Sequence, residues 1–430
     1  MAASLLSTSV LYVKPDFAYG ETINSDIEDV QPDQPASGIR VSYHTQKEIS
    51  DYVQKHPSHK DDKLTYAKKP VVKGAYDMGK ISEATQNSAL NMLKQIRYIA
   101  GISDQVTISE QYTELAQAAA LTNYANGQLS HYPPKPAGMS DSLYQLGAEG
   151  ARQSNLAWAS WQGRSLAGTI VDGWMEDGDS SNISRVGHRR WLLNPSMSAT
   201  GFGAVDGSNG TYSTVYTFDD GNTSAEEYGV CWPAQNMPTE YFGTAFPWSV
   251  STGTVEEPSS VRVTMKNVKT GKVWKFSSSS SDGDFYVDNG GYGQTGCIIF
   301  RPDKGVSYKD GDSYQVNITG LAGPDISYGV HFFDLYEKET EVPYMKAYSS
   351  VSGKIKLQWY KNSDADGYQV QYSTNSKFKK GKNTKTKDTK STSLTIKKAK
   401  KNQRYYVRVR AYRTVKGKRV YSKWTKVLKL

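Results

Sequence analysis

The sequence predicts an α+β protein whose second half is all β, and three observations carry that reading. Between residues 82 and 175 apolar side chains recur at helical spacing behind N-cap serines; from Ala199 short runs stand between turn residues; from Thr244 to the end the alternation is of the strand kind throughout. At 430 residues the chain exceeds the ~250–300 residues over which one hydrophobic core grows, so two or three domains are expected. A hydrophobic content of 37% suits a folded protein, and no apolar run reaches the ~18 residues needed to span a bilayer.

Residues 1–20 are apolar and end in small residues near Phe17-Ala18-Tyr19-Gly20, without the basic start of a complete secretion signal; they read as the remnant of one. Residues 21–81 read as an N-terminal linker and extension. The first part is acidic and holds Pro32, Pro35 and Gly38, the rest is mixed, and His56 and His59 are expected to be exposed. Ile81-Ser82-Glu83 then opens a helix in which Leu90, Leu93, Ile96 and Arg97 repeat up to Gly101. A second helix starts at Ser109, runs through Leu115, Ala118, Ala119 and Leu121 and stops at Gly127; its alanine face suits close packing. Ser140 begins a third helical stretch toward Trp158, and Ser165 a fourth through Ile170, Trp174 and Met175. Residues 199–205, 212–218 and 228–232 read as strands of a small antiparallel sheet.

From residue 244 to residue 338 the runs Val261-Arg-Val-Thr-Met265, Val273-Trp-Lys-Phe276, Cys297-Ile-Ile-Phe300, Tyr314-Gln-Val-Asn-Ile318 and Tyr328-Gly-Val-His-Phe332 are spaced as in an immunoglobulin-like sandwich, with His331 on one strand. Residues 339–430 hold Ile355-Lys-Leu-Gln-Trp359, Asp366-Gly367-Tyr368-Gln-Val-Gln-Tyr372, Ser393-Leu-Thr-Ile396 and Tyr405-Tyr-Val-Arg-Val-Arg-Ala-Tyr412. With those runs the segment resembles a fibronectin type III domain over its whole length. Alternation puts Ile355, Leu357 and Trp359 on one face and Val407, Val409 and Ala411 on another, with the intervening Lys and Arg outward.

The stretch that organises the first half is Gly187-His188-Arg189-Arg190-Trp191-Leu-Leu-Asn-Pro-Ser-Met-Ser-Ala-Thr-Gly201-Phe202-Gly203. Upstream lie Leu129-Ser130-His131-Tyr132, Asn155-Leu156-Ala157-Trp158 and Trp174-Met175-Glu176-Asp177. In that order the region, about residues 82–230, resembles the CAP superfamily of secreted proteins, which holds cysteine-rich secretory, antigen-5 and plant pathogenesis-related proteins. The resemblance implies an α-β-α sandwich over 82–243, ahead of the two β-sandwiches. It also implies a cleft lined by two histidines and two acids, matched here by His131, His188 and Asp177, with Glu176 an adjacent alternative. The other acid should precede Asn155, where this chain has Ser154. Glu149, five residues earlier, lies ~140° around a helix. The cleft set is therefore His131, Glu149, Ser154, Glu176, Asp177, His188 and Arg189. His131, His188 and Asp177 are the catalytic candidates and the candidates to hold zinc, since imidazole and carboxylate are its ligands. Arg189 and Arg190 are expected to pair with the acids or face an anionic ligand, and Trp158, Trp161, Trp174 and Trp191 to be core.

The net charge of +9 is segregated. Residues 344–430 carry 25 Lys and Arg against three acids, a net +22, while the rest holds 27 basic and 40 acidic residues, a net −13. Cys231 and Cys297 are too few for a disulfide framework. Paired, they would join the CAP-like domain to the next sandwich; unpaired, they are two small apolar residues. A G-x-S-x-G elbow, an H-E-x-x-H motif and a phosphate loop are all missing from the sequence. The reading is a secreted, extracellular, cell-wall-associated protein that presents a cleft to a ligand the sequence does not name. Its sandwiches serve as spacers, and the basic fibronectin-like domain attaches to an anionic cell-wall polymer or host surface. Nucleic acid is disfavoured because there is no recognition helix or aromatic platform. The alternative is a metal-dependent hydrolase acting on peptide or cell-wall material.

Overall fold

Each of the first four helices begins at a Ser or Thr whose hydroxyl accepts a backbone N–H three residues on. The caps are Thr45 for α1 (Gln46–Lys55), Ser82 for α2 (Glu83–Ile99), Ser109 for α3 (Glu110–Asn126) and Ser140 for α4 (Asp141–Arg152). α1 falls in the stretch expected as linker and extension; there Glu48 returns a hydrogen bond to the Thr45 N–H, closing a capping box. His56 and His59 are not exposed as expected. His56 stacks on Tyr52 with ring centroids 4.0 Å apart, and burial lowers the pKa of the half-buried His59.

The computed structural model describes residues 11–12, 36–225, 228–336, 345–350, 354–359, 361, 365–379, 381–397, 399–400, 403–415 and 418–430. The expected secretion remnant and acidic linker lie outside these residues, apart from Leu11–Tyr12 and residues 36–38. The chain divides into two units, Ile23–Leu335 and a second made of the first 22 residues with Tyr336–Leu430.

In the first unit β1 (Ser154–Ala159), β2 (Phe202–Gly207) and β3 (Gly210–Tyr216) form an antiparallel sheet in the order β1-β3-β2. β1 corrects the expected third helix: the helical stretch from Ser140 ends at Arg152, and Asn155-Leu156-Ala157-Trp158 is extended. α3 lies across the sheet, and glycines on both sides let it approach. A Cβ at Gly203 would stand 2.4 Å from the Ala116 backbone, and one at Gly150 of α4 would stand 2.1 Å from the Leu115 carbonyl oxygen. The alanines of α3 between these contacts are fully buried. Against the other face of β1 packs a π turn (Ile170–Trp174) that continues α5 (Leu166–Thr169), with α2 behind it. This is the expected α-β-α arrangement.

The same unit continues into two further sheets. β4 (Val230–Trp232), β5 (Asn236–Pro238), β6 (Trp248–Ser251), β7 (Arg262–Asn267), β8 (Val273–Phe276), β9 (Gly283–Asp288), β10 (Cys297–Pro302), β11 (Ser313–Thr319) and β12 (Ile326–Phe333) divide between them. One sheet runs β5-β12-β11-β7-β8 and the other β9-β10-β6-β4. Aromatic rings join them: Trp248 meets Tyr314 and Phe332, and Phe276 meets Phe300. Residues 230–232, expected in the small sheet of the first half, thus belong to this sandwich.

The register of β6 settles the cysteines. Cys231 pairs with Val250 and Cys297 with Ser251, so one strand separates them and adjacent positions on it place them on opposite faces. Two strand spacings amount to ~10 Å, beyond the ~4.4–6.8 Å between Cα atoms of a disulfide. The pairing that would join the two regions does not form: both are buried free thiols, with Cys231 pushed up to about 12 by burial.

In the second unit β13 (Met345–Ser350), β14 (Lys354–Trp359) and β17 (Ser393–Lys397) form one sheet, and β15 (Gly367–Ser373), β16 (Thr384–Thr389), β18 (Tyr406–Val415), β19 (Lys418–Tyr421) and β20 (Leu428–Lys429) the other. Ile355, Leu357, Trp359, Val407, Val409 and Ala411 are buried together, as the alternation requires.

The glycine clamp on α3 has a direct check. Gly203→Ala is expected to lower the unfolding free energy of the Ile23–Leu335 unit by about 1–3 kcal/mol, because the methyl can enter only by moving a helix. An unchanged urea midpoint at unchanged m-value rejects the clamp.

Candidate functional site

Gly187 to Leu192 fold as a six-residue helix, α6. So short a helix has little stability of its own, and this one is held at both ends. At its N-terminus the buried Asp177 accepts from His188 Nδ1 at 2.7 Å through Oδ1 and from the Arg189 N–H at 3.0 Å through Oδ2. At its C-terminus the buried Arg97 donates to the carbonyls of Leu192 and Asn194 at 2.9 and 2.8 Å. A carboxylate at the positive end and a guanidinium at the negative end both suit the helix dipole. Asn155 of β1 donates to the His188 carbonyl at 2.9 Å, tying the helix to the sheet.

Two residues enter the site through the left-handed backbone region, Asp177 at φ 47° and Val186 at φ 41°. For a β-branched residue that conformation costs about 1–3 kcal/mol, and packing must hold it. Val186 is fully buried against Cys297 and Ile299, with Tyr286 beside them.

Of the two expectations for the arginines after His188, pairing with acids or facing an anionic ligand, the structure shows them turned inward, Arg189 beside Asp177 and Arg190 on Asp288. Arg189 is wholly buried and donates to the carbonyls of Met175, Glu176 and Pro247 at 2.8, 2.7 and 2.6 Å and to Ser249 Oγ at 3.0 Å. Burial lowers its pKa to about 10, still cationic at neutral pH, with Asp177 pulling the other way. Arg190 reaches Asp288 at 2.5 Å and the carbonyls of Gly290 and Gln294, and stacks on the Tyr292 ring at 5.1 Å. Tyr292 also lies so close to Gly187 that a Cβ there would stand 3.0 Å from the ring. Arg301 completes the seam, donating to the carbonyls of Gly178 and Ala245 at 2.9 and 2.7 Å. The site is therefore built from both halves of the Ile23–Leu335 unit.

Of the expected cleft residues, the structure joins His188, Asp177 and Arg189. His131 is exposed, and its Nδ1 donates to the Ala151 carbonyl at 2.7 Å. Ser154 is buried with its hydroxyl unpartnered, two residues beyond the end of α4, while Glu149 is exposed on α4. Glu176 is half-buried; burial, with Asp172 and Asp179 nearby, raises its carboxyl pKa. Trp158 and Trp161, expected in the core, are 52% and 56% exposed. The zinc set does not fit. Both Asp177 oxygens are engaged by His188 and Arg189, and among the described residues no three His, Cys, Asp or Glu side chains group as metal ligands.

Sequence reasoning missed Asn155 as the brace of His188, and it missed Tyr292, Asp288 and Ser249 as partners from the second sandwich. One signal was present: Asn289-Gly-Gly-Tyr-Gly293 reads as a loop built for close backbone approach.

With the geometry in place, the family comparison is decisive for this part of the chain. Residues 90–219 match the family model of CAP, the cysteine-rich secretory protein family. The chain carries a CAP domain. Residues 343–427 match the fibronectin type III domain. The CAP match takes in α3, α4, the three-stranded sheet and α6, so the Asp177–His188 pair belongs to the CAP domain while Tyr292, Pro247 and Ser249 lie beyond it. No curated protein matches the chain. Among solved structures, chicken CNTN1 FN1-FN3 domains are 14% identical over 43% of this chain and 59% of that one, with a TM-score of 0.19. A cytokine receptor complex is 14% identical over 43% and 90% at 0.19, and a two-domain fibronectin type III segment of chicken tenascin is 15% identical over 43% and 92% at 0.21. The chain thus spans under two thirds of the first of these.

Two outcomes follow for the CAP domain. Asp177→Ala leaves the buried Arg189 charge uncompensated and two donors unpaired, so urea unfolding followed by tryptophan fluorescence should show a loss of about 3–5 kcal/mol; a loss below about 1 kcal/mol contradicts the role given to Asp177. Glu176 gives a sign. Its folded pKa is raised, so the unfolded chain releases that proton first, and stability present below the unfolded value is lost as pH rises through the folded one. Glu176→Gln should therefore gain on wild type in melting temperature between about pH 4 and pH 7; a Gln variant that loses ground over that range refutes the assignment.

Proposed function

We propose that the chain works outside the cytoplasm as a ligand-presenting CAP-domain protein whose basic fibronectin type III domain attaches it to an anionic envelope. The observation that supports presentation is the state of His188. Asp177 Oδ1 accepts a hydrogen bond from His188 Nδ1, so Nε2 is the nitrogen left to a ligand on a side chain 22% exposed, while Asn155 and Arg97 hold the backbone beneath. Such an imidazole can meet a ligand hydroxyl or amide through Nε2 with its ring orientation set by Asp177. The hydrolase reading would need zinc, and the described residues supply no three-ligand set for it.

Attachment is supported by charge. The +22 of residues 344–430 sits on outward strand positions such as Lys354 and Lys356, which alternate with buried Ile355 and Leu357 and add nothing to the core. Polyanions bind such a surface by releasing counterions, so retention must fall steeply with salt. The test is cosedimentation of the full chain with isolated cell envelopes at about 50 and 200 mM salt, the range over which such binding weakens most visibly. Retention indifferent to salt refutes attachment by charge. Zinc analysis of the same preparation decides the rival: stoichiometric metal that is lost in His188→Ala would favour the hydrolase.

A further inference from the structure

The outward face of the sheet containing β15 and β18 carries an ordered row of rings and guanidinium groups. Arg408 lies over the Phe378 ring at 4.2 Å and over Trp424 at 4.5 Å; Arg410 lies over Trp424 at 4.4 Å and over Tyr421 at 3.8 Å. The order is ring, cation, ring, cation, ring. Each guanidinium is also fixed in its plane. Arg408 gives Nε and Nη2 to Gln371 Oε1 at 2.9 and 2.6 Å, and Arg410 gives the same pair to Gln369 Oε1 at 3.1 and 2.7 Å. The glutamine amides are oriented in turn by Thr386 and Asp388. Arg419, over Tyr412 at 4.3 Å, is paired directly with the Asp388 carboxylate, which also lies near enough to Arg410 to attract it without a direct hydrogen bond.

Two arginines side by side repel each other, and burial together with that repulsion lowers the Arg408 pKa. What the arrangement achieves is order: two long side chains that normally lose much entropy on binding are already held, with their ring-covered faces closed and the Nη1 edge of each free. Positions 408 and 410 lie two apart on one strand, so the free edges repeat at about 7 Å along β18.

We infer that this face is the polyanion contact of the fibronectin type III domain and that its partner is a linear phosphodiester polymer lying along β18. The inference rests on the attachment reading above and narrows it from a diffuse charge to two arginines. A phosphodiester carries its charge in the chain itself, at every repeat, so a strand-parallel polymer keeps its oxyanions on the line of the guanidinium edges. Pendant carboxylates are not held to that line.

The experiment measures binding of the full chain to immobilised poly(glycerol phosphate) as salt is varied, with polyglutamate as the carboxylate comparison. Arg408→Gln with Arg410→Gln is expected to weaken binding at least about tenfold and to reduce the log–log salt slope by about one to two. Lys354→Gln with Lys356→Gln, the same charge change on the opposite sheet, should alter binding by no more than about twofold, the long-range share left at a Debye length of ~8 Å. Gln371→Glu keeps the ladder and the fold but pairs Arg408 internally, so it should also weaken binding, and it keeps the test open if the double arginine variant does not fold. Equal losses from the arginine and lysine pairs, wild-type binding by Gln371→Glu, or polyglutamate held as tightly as poly(glycerol phosphate) would each overturn the inference. Retention on isolated envelopes without retention on poly(glycerol phosphate) overturns the phosphodiester partner and leaves attachment standing; loss of envelope retention itself overturns attachment.

Discussion

Arg189 is the constraint on which the first unit depends. A guanidinium at 0% exposure is stable only if every donor finds an acceptor, and its acceptors come from three separate stretches: the π turn's exit, the loop before β6 and β6 itself. The Asp177 carboxylate beside it supplies the compensating charge and in the same act fixes the tautomer of His188. Charge balance in the interior and presentation of the imidazole are therefore one arrangement. Arg190, one residue on, turns its two terminal nitrogens to Asp288 and the glycine-rich loop, while its Nε is buried without a partner.

This explains what the sequence made legible and what it did not. The N-caps at Ser82, Ser109, Ser140 and Ser165 and the stop at Gly127 are local signals, decided by hydrogen bonds within four residues, and they marked the helix starts correctly. The alternation in residues 355–359 and 407–411 is likewise local, and it marked the buried faces of those strands correctly. Asn155-Leu156-Ala157-Trp158 was different. Four residues fit a helix or a strand equally well, and pairing with Thr211 to Tyr216, more than fifty residues on, made it a strand. The role of Arg189 was illegible for the same reason: the sequence left open whether the arginines pair with acids or face a ligand, and the acceptors at Pro247 and Ser249 lie about sixty residues on.

Within the candidate site, the sequence found His188 and Asp177 because motif order carried them, and the structure pairs them. It placed Ser154 where an acid was expected, and that hydroxyl is buried without a partner. The tail shows the converse. Its charge was plain in the composition, but the ladder through Phe378, Arg408, Trp424, Arg410 and Tyr421 joins residues from three segments that only folding brings into line.

The sheet β9-β10-β6-β4 has one side in its own sandwich, through Trp248, Val250 and Phe300, and the other against the CAP helix, through Ser249, Cys297 and Ile299. A gene fragment cut where the CAP family match ends, at residue 219, would deprive Arg189 of Pro247 and Ser249, and Arg190 of Asp288, Gly290 and Gln294. The smallest piece that can be excised and still bury its own seams runs from the segment before α1 to the end of β12. The boundary by which this domain is classified is thus not the boundary at which it can be cut, and the second sandwich is inherited with the CAP domain as part of its interior.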